Sequence, residues 1–286
     1  MATLKEVKLR IQGIRSTQKI TKAMKIVAAT KRKKYEREQK ESRLFSRQLK
    51  TMLTNTVQYS YHPEHRLMQS GASQGKVGVV IIASDRGLCG SFNSNLLRKT
   101  FEYLEGAVRK QGMVLVPLGR KAHDYFKKTG YKILFSEMNI EKRSRRECAE
   151  ELTKRMIEEF FAGAISEWRV ISNRFISRGS FGYTNNVLMP ITVPSHGERT
   201  DSLYAFEDSV TDMLNYLLPV SISDLMYQYI LESQLAEEFS RMLAMDYATE
   251  NADELIGELT LHYNRTRQQV ITREISEIVG GAEALK

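Results

Sequence analysis

The sequence predicts an α/β fold in which an inserted, mostly parallel Rossmann-like domain is carried by a long antiparallel coiled coil of the N- and C-terminal helices. Three observations predict it. Residues 1–62 and 220–286 keep helical patterning without a proline. Between them, apolar β-branched runs alternate with amphipathic stretches. The two ends also carry opposite charge: residues 1–50 hold 16 Lys/Arg against 4 Asp/Glu, and residues 220–286 hold 5 against 12.

The first helix opens on a capping box, in which Thr3 accepts from the backbone three residues on and Glu6 reaches back. Leu4, Val7, Ile11, Ile14, Met24, Val27 and Ala28 then recur at helical spacing. Only Gly13 interrupts good helix formers before Pro63, so the spacing predicts one helix of roughly 50–55 residues, about 80 Å at 1.5 Å per residue. "KVGVVIIAS" (76–84) reads as a strand covered on both faces. A helix near 94–110, the strand "MVLVPLG", a helix near 121–128, the strand "YKILF" and a helix near 146–166 follow. "WRVISNRFIS" and "NNVLMPITV" close the domain as an antiparallel pair. "SGASQG" (70–75) and 194–202 are the linkers. After Pro219, with Ser221 or Ser223 as cap, a second helix of about 55–60 residues is expected to end at Gly280. Phe239, Met242, Leu255, Leu259, Tyr263, Val270, Ile275 and Ile278 supply its apolar seam. Helices of this length cannot be buried singly in a small core, so the basic one is expected to wind on the acidic one. The domain boundaries follow: 1–60 and 208–286 for the helices, 70–205 for the α/β region.

At 286 residues and 42% hydrophobic content the chain can bury a sizeable core. No run approaches the roughly 18 apolar residues of a membrane span. The basic amphipathic start is like a transit peptide but runs into the helix without a processing boundary, so the chain reads as unprocessed and cytosolic. Cys89 and Cys148 stand in no metal or redox spacing, and both thiols are expected free. No metal or cofactor site is expected.

"SDRGLCGSFN" (84–93) lies where an enzyme of this fold would place its site, at the C-terminal end of the first strand. It matches neither dinucleotide nor phosphate loop, and Asn95 stands where a phosphatase-like loop after Cys89 would want arginine. The structural reading has Gly87 and Gly90 permitting the turn, Asp85 and Arg86 satisfying the backbone and each other, and Cys89 packing as a small hydrophobe. The functional reading is a partner surface. Pairs such as Glu237–Glu238 and Asp253–Glu254 read as solvated. "KRKKYERE" (31–38) lacks the heptad leucines of a basic zipper, leaving a solvated charged face or an acidic protein partner. An α/β enzyme with a coiled-coil arm and a nucleic-acid-binding coiled coil are the competing classes.

The whole chain resembles the gamma subunit of rotary F-type ATP synthases, bacterial type. "RIQGIRSTQKITKAMKIVAATK" (10–31) resembles the family's N-terminal block, 84–93 its strand-to-helix loop, and "ITREISEIVGGAEAL" (271–285) its C-terminal signature. Many members have Tyr-Glu-Pro where this chain has "YAFEDSV" (204–210). The resemblance implies a non-catalytic central shaft without cofactor, metal or substrate of its own. It implies partners in three alpha and three beta subunits, the epsilon subunit and the membrane c-ring, no nucleic acid, and a peripheral place on the cytoplasmic face of the bacterial membrane. Rotation driven by protons or another ion would then cycle ATP synthesis and hydrolysis at the beta sites. Carried onto this sequence, Arg267, Gln268, Thr272 and Glu274 resemble residues that hold a beta loop, while Met24 and Lys25 face beta's acidic lever. Gly280, Gly281, Ala282 and Ala284 would form a bearing tip. Asp85, Arg86, Cys89, Tyr204 and Glu207 are the candidate partner surface of the globular region.

Overall fold

The computed structural model describes residues 3–58, 65–69, 75–106, 112–177, 180–193 and 209–284. Contacts divide the chain into two compact units, Thr30–Ser240 and Met1–Ala29 with Arg241–Lys286. Helices α1 (Leu4–Gln58) and α5 (Val210–Ala284) contribute to both. Among the described residues, no helix is long and apolar enough to cross a membrane.

Unit Thr30–Ser240 is built on a five-stranded sheet. Its elements are β1 (Lys76–Ile82), α2 (Phe92–Gly106), β2 (Met113–Leu118), α3 (Arg120–Phe126), β3 (Lys132–Ile133), α4 (Arg145–Phe161), β4 (Ile165–Ser177) and β5 (Ser180–Met189). The order is β3-β2-β1-β4-β5, parallel except for the β4–β5 pair. Alternation along β1 decides which layer each residue meets. Val79 and Ile81 pack with Leu96, Leu104 and Phe126 from α2 and α3. Val80 and Ile82 pack on the other face with Leu152 and Met156 of α4, and with residues of α1 and α5. Burial on both faces is why β1 reads as an unbroken apolar run. Trp168 is fully buried there and donates from Nε1 to the Met156 carbonyl, 3.0 Å. Its ring lies over Gly78, where a Cβ would come within 2.3 Å of it.

Unit Met1–Ala29 with Arg241–Lys286 is a pair of helical segments. The capping box forms as read: Glu6 N–H donates to Thr3 Oγ1 (3.3 Å) and Thr3 N–H to Glu6 Oε2 (2.9 Å). Gln18 donates to Asp253, Thr21 and Thr249 hydroxyls meet at 2.8 Å, and Lys25 pairs with Asp246. Partner numbers fall as those of α1 rise, the signature of antiparallel helices. The opposite charges of the two ends thus meet within the chain, at Lys25 and Asp246.

Two expected boundaries are corrected. Helix α5 begins at Val210 rather than after Pro219, because Ser209 caps it: Asp212 N–H donates to Ser209 Oγ at 3.1 Å. Pro219 sits inside the helix and forgoes the bond that would go to the Asn215 carbonyl. Nor does Gly280 end the helix, which continues to Ala284. Each further residue costs only its own ordering once a helix exists, and Ala282 and Ala284 are strong formers. The 70–75 linker is described only at Gly75, and the 194–202 linker lies outside the described residues.

Candidate functional site

The residues most able to carry chemistry gather at the C-terminal edge of the sheet, between β1 and β4, where the strand order reverses. An open doubly wound sheet binds its ligand in this crevice. Here the crevice is closed by the chain itself. Ser233 of α5 donates to the Ile82 carbonyl at 3.3 Å, and Ser240 donates to the Cys89 carbonyl at 2.6 Å. Ile230, Gln234 and Glu237 of α5 line the narrow cleft that is left, opposite Ala83 and Glu141.

The 84–93 loop is tied to its surroundings by backbone bonds. Asp85 does not pair with Arg86 as expected: its carboxylate accepts from the N–H groups of Arg120 (3.0 Å), Asn139 (2.9 Å) and Ile140 (3.2 Å). Three such bonds occupy the oxygens that an acid–base role would need. Arg86 is exposed, and its carbonyl accepts from Ser84 Oγ. Cys89 is 2% exposed, packs with Phe92, Phe181 and Ala236, and takes a bond from Asn93 Nδ2 at 3.1 Å. Leu88 and Gly90 both have positive φ, 63° and 57°, so the loop turns tightly on either side of the buried thiol. Neither cysteine is in a disulfide, and burial pushes the Cys148 thiol up to about 11. A thiol held that far above neutrality is a poor nucleophile. Tyr204 and Glu207 lie outside the described residues.

The basic stretch 31–38 is packed rather than solvated along one face. Lys31 Nζ lies 3.1 Å from Glu141 and 3.3 Å from Glu238. Burial pulls its pKa down, but the two carboxylates pull harder and leave it above its ordinary value. The guanidinium of Arg32 lies 5.8 Å from the Phe239 ring centroid, and Tyr35 is buried against Leu231 and Leu235. Arg145 stacks over Tyr35 at 4.4 Å and pairs with Glu38 at 2.6 Å. The acidic partner of Lys31 is therefore the chain itself. Glu237 and Glu238, expected on a solvated face, are 6% and 2% exposed because α1, α5 and the segment at Glu141 converge there. Oxygens of Glu141, Glu237 and Glu238 come within 4.8 Å of one another, and the Lys31 ammonium supplies the positive charge that such a cluster would otherwise seek from a metal.

The remaining candidates lie on the two helices. Met24 is half-buried, and Lys25, also half-buried, is held by Asp246. Arg267, Gln268, Thr272 and Glu274 are all exposed on α5. Arg267 follows Lys25's partner Asp246 by 21 residues, about 32 Å along a helix, so the candidates form two separate groups. Gly280, Gly281 and Ala282 are exposed, and Ala284 is the last residue of the helix. Of the expected α5 seam, Phe239 is buried whereas Leu255, Ile275 and Ile278 are 45%, 56% and 72% exposed. A helix that bares its apolar residues is prepared for a surface other than its own chain.

A family model described as ATP synthase matches residues 3–285. The chain is 38% identical to the ATP synthase gamma chain of Prosthecochloris aestuarii, over 100% of this chain and 99% of the relative. It is likewise 38% identical to the gamma chain of Fusobacterium nucleatum, over the full length of both. The chain belongs to the ATP synthase gamma family. Among solved structures, its fold is similar to a chain of the Euglena gracilis mitochondrial ATP synthase at TM-score 0.66, with 18% identity over 99% of this chain and 94% of that one. A chain from the central stalk and c-ring of the Tetrahymena thermophila enzyme matches at TM-score 0.60, with 22% identity over 80% and 99% of the two chains.

Proposed function

We propose that the chain is the central rotor shaft of a bacterial F-type ATP synthase, turned by an ion-driven c-ring and coupling that rotation to nucleotide turnover in three beta subunits. The observation that carries this reading is α5 itself. One unbroken helix begins against the sheet, where Leu218, Ile222 and Met226 are fully buried, and ends with residues 271–282 exposed on every side. Residues 70–205 serve as the gripping body for epsilon and the c-ring, and 1–60 with 208–286 as the transmitting helices.

Coupling needs contacts that depend on angle. Arg267, Gln268, Thr272 and Glu274 present directional donors and acceptors toward one beta subunit at a time, and Met24 and Lys25 toward its acidic lever. Each orientation of the shaft then favours a different conformation in each beta subunit, and nucleotide affinity follows through differential contact energy. The tip requires the reverse. Gly280, Gly281, Ala282 and Ala284 give the sleeve of alpha and beta subunits nothing to lock onto. On the globular body, Arg86, which is exposed, belongs to the proposed partner surface, to which the resemblance also assigns Tyr204 and Glu207.

The chain performs no catalysis of its own: Asp85 is committed to three backbone groups and Cys89 is buried. It resides at the cytoplasmic face of the membrane, held there peripherally through the c-ring. Co-expression with alpha and beta subunits tests the proposal. A stable complex that hydrolyses ATP, alongside an isolated chain that does not, is the expected result; failure to assemble, or turnover by the chain alone, overturns it.

A further inference from the structure

The mechanism leaves one buried carboxylate unused. Asp224 of α5 is 5% exposed, and its Oδ2 accepts from Ser46 of α1. Its Oδ1 is buried without a hydrogen-bond partner, and so is the hydroxyl of Ser221, 6% exposed. Three residues apart on a helix, the two side chains share a face. That face lines a cavity of about 270 Å³. Native proteins rarely leave buried polar groups unpaired, and each instance needs an explanation.

The remaining walls say what would fit. Leu49 and Leu53 of α1, Leu225 of α5, and Ile191 and Val193 beyond β5 make the lining largely apolar; Thr54 and Thr192 add hydroxyls, and Lys50, also on the lining, is exposed and is not among the groups that act on Asp224. The volume far exceeds one water molecule, and smaller apolar cavities hold a benzene ring. Burial raises the Asp224 pKa against the pull of Ser46 and Arg146, so the carboxylate is short of positive charge. Arg146 is engaged elsewhere, over the rings of Phe45 and Tyr227 at 5.6 and 4.9 Å. The missing complement is a compact cation with several donors and a short apolar body.

We propose that this cavity binds a small primary alkylammonium ion, whose head donates to Asp224 Oδ1 and Ser221 Oγ and whose chain lies against Leu49, Leu53 and Ile191. The site is separate from the coupling residues and from the closed crevice of the sheet. It joins α1, α5 and the exit of β5 within the unit Thr30–Ser240. An occupant would therefore tie three elements of that unit together and raise its stability by mass action.

Calorimetric titration of the full chain at pH 7.5 with n-butylammonium, and with n-butanol as the uncharged probe of equal size, tests the assignment. Saturable one-to-one binding of the ammonium is expected, with a dissociation constant of about 1 mM or tighter for so small a ligand. The alcohol should bind at least tenfold more weakly. Asp224→Asn should weaken the ammonium at least tenfold and Ser221→Ala severalfold, while Glu250→Gln, at an exposed carboxylate of α5, should change nothing. Helix content by circular dichroism shows whether each variant folds; should Asp224→Asn fail, Ser221→Ala decides alone, since it removes one hydroxyl from the lining. Equal binding of alcohol and ammonium, unaltered affinity in Ser221→Ala, equal weakening by Glu250→Gln, or no saturable binding would each overturn the proposal.

Discussion

The two units solve burial in opposite ways. In Thr30–Ser240 the sheet gives apolar side chains two covered faces, and Val79, Val80, Ile81, Trp168 and Ile230 lose all contact with solvent. In the helical unit, Val7, Ile11, Ala28, Met245 and Ala252 form a thin seam, while Ile20, Ile26, Val27, Leu261 and Ile271 remain exposed. A pair of helices can cover only the stripe where they meet, whatever their composition. The sheet unit thus holds a two-faced core of its own, though Leu44, Leu88 and Ile176 stay exposed on it, while the helical unit buries only a stripe.

The comparison breaks most visibly at Trp168. Trp168→Ala removes a fully buried ring together with the bond to Met156, and a loss of about 3–5 kcal/mol is expected. Chemical denaturation followed by circular dichroism measures it; a loss under about 1 kcal/mol would mean that the sheet unit is far looser than its burial indicates. Ile11→Ala, in the thin seam at 9% exposure, should cost about 2 kcal/mol, the low end for such truncations. Trp168 is the only tryptophan, so its fluorescence reports the sheet unit alone. In Ile11→Ala the helix signal should melt earlier while the tryptophan transition stays in place. Coincident transitions would instead make the chain one cooperative block.

What the sequence made legible was local. The Thr3–Glu6 capping box, the strand read at 76–84 and the alternation of strands with helices rest on neighbours within a few residues, and all are found, the strand as Lys76–Ile82. Distant partners were hidden. Glu237 and Glu238 looked solvated because Lys31 and Glu141, which converge on them, lie about a hundred or more residues away in sequence. Asp85 looked like a partner for its neighbour Arg86, yet its three donors come from residues 120, 139 and 140. Pro219 looked like a boundary because proline costs a helix one bond; the Ser209 cap and burial at Leu214, Leu217 and Leu218 outweigh that cost. Asp224 carried no signal at all, since only the fold brings Ser46 to it.

Asp224→Asn sharpens the contrast from within the sheet unit. Burial holds the folded carboxyl above its ordinary value, so the folded chain binds that proton more tightly than the unfolded one. Stability therefore falls as pH rises from the unfolded pKa, about 3.9, through the folded one, and the cost is fully present at neutrality. Asparagine removes the titration and can still accept from Ser46 while donating to Ser221. Its thermal midpoint should exceed the wild type's at pH 7.5 by less than Ile11→Ala lowers it, and the advantage should shrink as pH falls through the raised folded pKa and be gone below the unfolded one, about 3.9. Glu232 is also raised by burial, but it is common to both proteins and cancels in the difference. A pH-independent difference would show that the charge at residue 224 is not what separates them.

The smallest effect on stability tests the exposed end of α5. Arg267 and Gln268 are exposed, so replacing both with alanine, the best helix former, should change unfolding free energy by no more than about 0.5 kcal/mol. In the assembled complex the same pair should depress ATP turnover several-fold, because the lost groups are those proposed to engage a beta subunit at a fixed angle. Deleting residues 282–286, of which Ala282, Ala284 and Leu285 are apolar, should depress it less, since apolar side chains offer little directional grip. The ratio of the two matters more than either alone. Full turnover in the alanine pair with loss on truncation would move the coupling contact to the tip, and a thermal shift in the isolated chain would assign the pair to the chain's own fold rather than to a partner.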